Sequence, residues 1–482
     1  MLTLHQSPAF AEMPSGTDWI YSLTSTDITG NYKFKYFADI FIGQFGATYI
    51  VRVFFSPNAD GTGIINLSDI YEQYVSSSNL GNATSGYQSA FKSVDNVIGS
   101  ECPIHCIDKF SLNNSNYAKA SIAWGQEYST NPTDAPTQYS FQILSMNGGF
   151  TNSVAYNNEQ LRTIGTSGTG TNEYGLNFQN WNGYNYFINS TNSKFLTDAP
   201  NFNAIKPQQN PQLIRDNDYA TLAFLNGTFM NGDSWAGSAL FVFNQADGTY
   251  ISQTSILLTA ANGGYPAFGT SSIADSERAL LYLGVGTANL IQHGTALPAG
   301  TGEYFVTLMN TAGTLVRSET KGYKIQNNDC KGFETIRLTW LNKYGVWDYY
   351  NFTKKNIKST EIKRTTYSKI KGQWNGLDYT KNGYDRGSST LSTMANEVMA
   401  LNSDWFSSDD EAAWLEQLFI SPEVYILGGL IGSDTAPAEY GKYLTPVEIT
   451  NKKYVKYTEA NDKVSQYEVE IKYSINKRVQ RA

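Results

Sequence analysis

The feature of this sequence that most restricts its fold is a period of two in its apolar residues. In residues 19–23, 32–37 and 49–55, apolar and polar side chains tend to alternate over short runs, and breaks that contain Gly separate these runs. Successive side chains of a β-strand point to opposite faces, so the pattern buries one face of a strand and exposes the other. Its recurrence along the chain predicts a mainly β fold.

The composition agrees with strands and turns. Charged residues make up 16% of the chain, below the roughly 25% of ordinary soluble domains, whereas 33 residues are Tyr. Tyr and β-branched residues suit a pleated, half-buried surface, and Asn and Gly supply the turns. Close-packed assemblies and glycan-binding surfaces both favour this composition, so it leaves the two open.

The length of 482 residues and the changes in pattern along the chain predict several domains, at about 100 to 200 residues each. We expect tandem β-sandwich-like domains at residues 1–146, 211–327 and 328–482. Residues 147–210, rich in Gly, Asn and aromatic residues, form an insert or an irregular subdomain between the first two. The six short apolar runs in 211–327 have the spacing of immunoglobulin or fibronectin type III sandwiches.

One short helix is predicted in the C-terminal domain, at residues 409–420. Ser408 and Glu411 have the spacing of a capping box, and the two Asp residues between them suit the positive end of a helix. An apolar stripe follows, formed by Trp414, Leu415, Leu418 and Phe419.

That stripe needs an apolar surface to cover it, and the nearest large one in sequence includes Trp340 and Trp347. We therefore expect the helix to pack locally as the core of the C-terminal domain. A docking face for a neighbouring subunit is the alternative. Under either interpretation, the core or interface residues are Trp340, Trp347, Trp414 and Phe419.

Several classes of function are disfavoured. With 35 basic and 43 acidic residues, the chain lacks the positive surface that binds nucleic acid. No window approaches about 18 uninterrupted apolar residues, so no membrane insertion is expected. Residues 2–8 lack the basic and apolar regions of a secretory signal, so synthesis in a cytoplasm is expected.

The candidate metal ligands are Cys102, His105 and Cys106, with Cys330 as a possible fourth. Thiolate and imidazole ligands suit zinc, and a closed structural site needs four of them. The spacing matches neither a paired Cys-x-x-Cys knuckle nor a haem-attachment motif. We therefore expect no metal, and interpret the thiols as small buried side chains.

No cofactor is expected either. Gly284 and Gly286 follow a predicted strand as the glycines of a dinucleotide loop do, but Asn289 stands where the third glycine is required. No helix pattern follows, so a turn between two strands is the favoured interpretation.

Signs of catalysis are also lacking, and we expect that the protein is not an enzyme. The three histidines occur in separate segments, and no nucleophile elbow occurs in its required context. A glycosidase needs only two carboxylates, but those beside aromatic residues are better explained as surface or capping groups. They are Glu127, Asp348 and Glu423.

The insert at 147–210 carries the candidate binding residues. Trp181, Tyr184 and Tyr186 could stack on the rings of a host-surface glycan or contact a protein partner. The alternative, which we favour, is that they fill a small local core.

Stretches from both ends of the chain carry a resemblance to a known group of proteins. They are residues 19–25, 34–39, 57–63, 123–128, 336–352 and 418–425 and the strand before Arg478. Together they resemble β-rich virion proteins of tailed bacteriophages, including marine and crAss-like phages. No catalytic residues come with this resemblance.

The resemblance implies a non-enzymatic structural component of a phage virion, made in the host cytoplasm, with other virion proteins as partners. We expect a homo-oligomeric tail or baseplate subunit, because closed symmetry satisfies every interface of a repeated chain. The alternative is a carbohydrate-binding adhesin that recognises the host surface through the aromatic insert.

Overall fold

A computed structural model gives the fold of most of the chain. It describes residues 1–6, 12–16, 18–42, 50–75, 110–112, 117–151, 188, 191–200, 212–225, 236–257, 280–292, 295–326, 333–370, 372–384, 387–406, 409–428, 444–454, 466–475 and 477–478.

The fold is mainly β, as the sequence predicts, and the chain forms two compact units. Unit 1 contains Met1–Asn327 and Leu341–Asp348. Unit 2 contains Asn328–Trp340, Tyr349–Gly429 and Gly441–Ala482. The division between Asn327 and Asn328 coincides with the predicted start of the C-terminal domain. The segment 341–348 departs from that boundary, because it belongs to unit 1.

Sixteen of the described strands lie in unit 1. They are β1 (Leu2–Gln6), β2 (Glu12–Pro14), β3 (Ile20–Ser25), β4 (Tyr32–Ile42), β5 (Val51–Phe55), β6 (Gly63–Asn66), β7 (Phe110–Leu112), β8 (Tyr117–Ser129), β9 (Thr137–Thr151), β10 (Gln212–Ile214), β11 (Thr221–Leu225), β12 (Ser238–Asn244), β13 (Tyr250–Leu257), β14 (Leu280–Gly284), β15 (Glu303–Met309) and β16 (Lys321–Ile325).

These strands form four sheets, in the orders β1-β3-β6, β2-β9-β8-β4-β5, β10-β16-β15-β12-β13 and β11-β14-β7. Pairing is antiparallel apart from β2 with β9 and β10 with β16. Four of the five strands of the third sheet and two of the three strands of the fourth come from the six apolar runs predicted in 211–327, whereas β10 and β7 lie outside those runs. Since β7 pairs with β14, residues on both sides of the predicted insert share one sheet.

Large aromatic side chains occupy the interior of unit 1, including Trp19, Tyr36 and Trp124. The stacked rings of Tyr304 and Tyr323 lie 5.1 Å apart, and the buried Tyr304 hydroxyl donates to the Val285 carbonyl at 2.8 Å. Aromatic burial of this kind removes much apolar area from water and also satisfies the polar hydroxyl. Packing therefore stabilises the unit, consistent with a chain of only three cysteines.

Short-range sequence signals fix a turn between β12 and β13. Gly248 adopts a φ of +87°, the Thr249 amide donates to Asp247 Oδ1 at 2.9 Å, and the Gln245 amide donates to the Thr249 carbonyl at 2.8 Å. An Asp side chain that binds the backbone two residues on and a Gly with positive φ are what a tight hairpin requires. The Asp-Gly pair at 247–248 therefore forms the hairpin turn between β12 and β13.

The described helices of unit 1 are short. They are a 3-10 turn at Thr26–Ile28 and the α-helices α1 (Ser68–Glu72) and α2 (Thr287–Gln292). Helix α2 follows β14 directly, so the expectation that no helix follows Gly284 is wrong. Asn289 Oδ1 accepts from the amide of Gly286, three positions before it, and from the amide of Ala220, 69 positions before it, each at 3.0 Å. The side chain that replaces the third glycine therefore holds the turn together.

Unit 2 contains one longer helix and the remaining described strands, apart from strand residues 341 and 347–348, which belong to unit 1. The strands are β17 (Ile336–Leu341), β18 (Trp347–Phe352), β19 (Asn356–Ser368), β20 (Gln373–Asn375), β21 (Asp378–Thr380), β22 (Ser388–Asn402), β23 (Val424–Leu427), β24 (Leu444–Ile449), β25 (Glu468–Tyr473) and β26 (Lys477–Arg478).

An eight-stranded sheet forms the frame of this unit, in the order β18-β17-β23-β24-β25-β22-β19, with β26 beside β22. Helix α3 spans Asp409–Ile420, so the predicted helix is confirmed with its predicted bounds. Its buried side chains include Trp414, Leu415 and Leu418, whereas Ile420 is exposed. Helix α3 thus supplies the apolar stripe that the sequence indicates.

Candidate assembly surface

Two strands of unit 2 run far beyond their neighbours in the sheet. Strands β19 and β22 pair over thirteen positions, from Asn356 opposite Leu401 to Ser368 opposite Ser388. On the other side of β22, β25 pairs only with 398–402 and β26 only with 394–395. The two strands therefore continue as a ribbon, and we call residues 356–402 the arm.

The arm is exposed over most of its length. Every residue of β19 after Asn356 is exposed, and no residue of β22 before Asn396 is buried. At about 3.3 Å per residue, β19 spans roughly 40 Å. A two-stranded ribbon without a hydrophobic face to cover it is marginally stable in water, which makes the arm a candidate for contact with a partner.

Large apolar side chains lie on the exposed arm. Ile362 is 52% exposed, at the middle of β19. Nine of the exposed large apolar residues lie in this one segment, and the alternation of the strand distributes them over both faces of the ribbon. They are Ile357, Ile362, Tyr367, Ile370, Leu377, Tyr379, Tyr384, Leu391 and Met394.

A tight hairpin ends the arm. Strands β20 and β21 pair from Gln373 opposite Thr380 to Asn375 opposite Asp378, which leaves Gly376 and Leu377 as the two-residue turn. Gly376 has a φ of +69°, as the first central residue of a primed turn requires. The side chain of Leu377 is 97% exposed. A large aliphatic side chain is therefore almost fully exposed at the turn of this hairpin.

The arm is basic and the rest of the chain is acidic. Residues 356–402 carry seven Lys or Arg and four Asp or Glu. The other 435 residues carry 28 Lys or Arg and 39 Asp or Glu. The arm thus has a net charge of +3 on a remainder of −11. Opposite potentials steer association and raise its rate at low salt. The acidic remainder of a neighbouring copy would attract the arm.

The predicted tryptophans lie in the interior. Trp340 and Trp414 are buried in unit 2, and their rings lie 5.3 Å apart. Trp347 is buried in unit 1. Phe419 is half-buried and stacks on Tyr454 at 5.0 Å. These side chains fill cores, and the arm contains none of them.

The other predicted residues are outside the described part of the chain. This applies to the binding candidates Trp181, Tyr184 and Tyr186. It applies equally to the metal candidates Cys102, His105 and Cys106. Within the residues that the structure does describe, no group of three potential metal ligands occurs. No described helix is long and apolar enough to cross a membrane.

The three candidate carboxylates differ in burial. Asp348 is buried in unit 1, where it accepts from Thr197 Oγ1 at 2.7 Å and from Asn342 Nδ2 at 3.1 Å. Asn342 Oδ1 also accepts from the Tyr344 amide at 2.9 Å. These contacts hold the turn between β17 and β18. Glu127 and Glu423 are half-buried and lie in separate units.

A cleft in unit 1 is a weaker candidate for a site. It has a volume of about 410 Å³ and is lined by Asp216, Thr287 and a loop that includes Pro298. Thr287 Oγ1 already donates to the Arg215 carbonyl at 2.5 Å, so this hydroxyl serves the local backbone. Of the two, the arm is the stronger candidate for a functional surface.

Comparison with known proteins adds no family assignment. No protein-family model matches the chain, and no curated protein sequence is significantly similar to it.

Sequence reasoning missed the arm. In the C-terminal domain, the sequence patterns predict no strand between residues 353 and 423. The signal that could have found it is the stretch 356–370, which contains no Gly or Pro and in which Thr, Ile and Tyr supply 7 of the 15 residues. These three residue types have high strand propensity. The usual alternation of buried and exposed residues is absent there because both faces of the ribbon are exposed.

Proposed function

We propose that this protein is a non-enzymatic structural subunit of a tailed-phage virion, a tail or baseplate component that assembles through its β units. The observation that carries this proposal is the arm, a paired ribbon exposed on both faces. The resemblance of the sequence to β-rich virion proteins is the reason for proposing a phage particle.

The energetic argument favours a partner for the arm. Ordering the backbone costs about 1 to 2 kcal/mol per residue, and burial of apolar surface is the main term that offsets this cost. In an isolated chain, the outer arm buries little: Ile362 is 52% and Leu377 is 97% exposed. Contact with a neighbouring subunit removes those side chains from water. Assembly is the function that such an arm serves best.

The described interior also favours a structural role over an enzymatic one. The buried Asp348 is bound by Thr197 and Asn342, and the largest fully buried side chains are tryptophans, tyrosines and a phenylalanine. Such cores make a rigid β scaffold, which is what a particle component requires.

The proposal is tested by the mass distribution of the purified full chain and by the content of purified particles. We expect oligomers in mass photometry, and peptides of this chain in mass spectrometry of particles from the phage that encodes it. A monomer at every concentration that is also missing from the particles would contradict the proposal. Glycan binding lost in a Trp181→Ala, Tyr184→Ala, Tyr186→Ala variant would instead favour the adhesin.

A further inference from the structure

The outer edge of β19 is available for pairing. Strand β19 ends the order of the eight-stranded sheet, with β22 as its one neighbour among the described strands. Every second residue of an edge strand directs its amide and carbonyl groups outward, so the edge is a template for another strand. Its thirteen residues make this edge long.

The sequence of β19 is complementary to itself in the antiparallel direction. Its thirteen residues, Asn356–Ser368, have Ile362 at their midpoint. In a pair centred there, each residue lies opposite the one equally far beyond Ile362 in the other copy. Ile362 then faces Ile362, and Glu361 faces Lys363 on both sides of the axis. Directly opposite residues share a face of the sheet, where apolar pairs and opposite charges stabilise the pairing.

The apolar residues near the ends of the strand match in the same register. Ile357 faces Tyr367, and both side chains are exposed in the chain. Ser359 faces Thr365, so a hydroxyl lies opposite a hydroxyl. Lys358 faces Thr366, and its charge is already matched by an ion pair with Glu334. Thus no two like charges lie directly opposite each other.

Neighbouring registers lack this match. A centre at Glu361 places that carboxylate opposite itself and Lys358 opposite Arg364. A centre at Lys363 places that ammonium opposite itself. Since like charges directly opposite destabilise a sheet, the charges favour the register centred on Ile362 over these two neighbours. Basic residues on an edge normally discourage pairing; here Glu361 supplies the one acidic side chain of the strand, and this register sets it opposite Lys363.

The side chains that this register uses are accessible. Among the described residues, Glu361 and Lys363 belong to none of the ion pairs or side-chain hydrogen bonds, and both are exposed. Their charges are therefore not matched within the described chain. A symmetric pair would match both of them twice.

We propose that β19 pairs antiparallel with β19 of a second copy about a two-fold axis at Ile362, which joins two eight-stranded sheets into one. This inference rests on the proposed function and deepens it by naming the partner of the arm. The shared edge would supply about a dozen main-chain hydrogen bonds. Such a contact is isologous, so it closes on itself as a dimer.

Charge reversal on the full chain tests the register. Glu361→Lys places two Lys pairs across the axis and Lys363→Glu places two Glu pairs there, so each should weaken the dimer about tenfold or more. The double variant restores both matches and should regain the dimer. A mixture of the two single variants should form a heterodimer, because every facing pair is then opposite in charge. Sedimentation equilibrium at about 0.1 M salt, where screening is modest, measures each of these.

A matched control is Glu468→Lys, the same charge change at an exposed position of β25, which should leave the dimer unchanged.

The second measurement is disulfide formation in Ile362→Cys under mild oxidation. Residues facing each other across a two-fold axis lie within disulfide range, so a covalent dimer is expected. The parent chain corrects for its own cysteines, and Thr366→Cys, which faces Lys358, should not crosslink.

The outcomes separate this inference from the proposed function. An oligomeric parent whose size is unchanged by either single reversal, and which gives no crosslink at Ile362→Cys, overturns the inference and leaves the subunit role intact. A monomeric parent whose arm variants fail to enter particles shows that another virion protein binds the arm, which also overturns it. A chain that is monomeric and missing from particles contradicts both.

Discussion

The indole rings of Trp340 and Trp414 lie 5.3 Å apart with their planes at 48°, and both side chains are buried in unit 2. One ring comes from strand β17 and the other from helix α3, so this contact attaches the helix to the sheet. Tyr350 also packs against Trp414, with ring centroids 6.0 Å apart.

Removal of the Trp414 ring should therefore destabilise unit 2. Trp414→Ala leaves a cavity among aromatic side chains and should cost about 3 to 5 kcal/mol in the free energy of unfolding. The control is Trp405→Ala, whose side chain is 59% exposed and whose loss should cost under about 1 kcal/mol. Urea unfolding followed by circular dichroism compares the two, and equal losses would contradict the assignment of Trp414 to the core.

Tyr350 should make unit 2 sensitive to alkaline pH. Its hydroxyl donates to Asp404 Oδ2 at 3.1 Å and accepts from the Asp404 amide at 2.8 Å. Burial, and then the negative charge of Asp404, raise the pKa of this phenol well above its usual value. As the pH rises, the Tyr350 phenol ionises in the unfolded chain before it ionises in the folded chain. The contribution of Tyr350 to stability is therefore complete below about pH 10 and is lost above it.

The Tyr350→Phe variant should accordingly lose less stability than the parent between about pH 8 and about pH 11. The free energy of unfolding in urea at the two pH values gives the slope. Tyr384→Phe, at an exposed position of the arm, should follow the parent. An unchanged slope in Tyr350→Phe would show that this phenol is not kept neutral by the fold.

Gly125 is needed where strand β8 crosses the ring of Phe37. A Cβ at this position would overlap that ring, which is buried in unit 1. Gly125→Ala should therefore cost about 1 to 3 kcal/mol through displacement of the ring. The matched control is Gly383→Ala, where a Cβ meets nothing within 4 Å. Thermal unfolding should show a lower midpoint for the first variant alone.

Local signals in the sequence account for what could be predicted. The bounds of α3 follow from acidic residues at its start and the Ser-Pro pair after Ile420, and the hairpin at Asp247 follows from two adjacent residues. Both depend on contacts within a few positions, which sequence patterns encode directly.

The features that escaped prediction depend on distant contacts or on partners. The pairing of β7 with β14 joins residues about 170 positions apart, and no periodicity specifies it. The arm escaped for a different reason. Ile362 and Lys363 are both exposed, so burial imposes no alternation on the strand that contains them. If the arm pairs with another copy, the contact with that copy sets the pattern of side chains along the strand.

The most direct test of the account is the mass distribution of a chain with a shortened arm. Replacement of residues 360–397 by Asn-Gly closes the hairpin after the pair of Ser359 with Val398 and keeps the positions that β25 pairs with. The tight turn suits a two-residue hairpin. In mass photometry, the parent should be oligomeric and the shortened chain monomeric, with the same cooperative unfolding of both units. A shortened chain that keeps the oligomer mass of the parent would contradict the claim that the arm is the assembly surface.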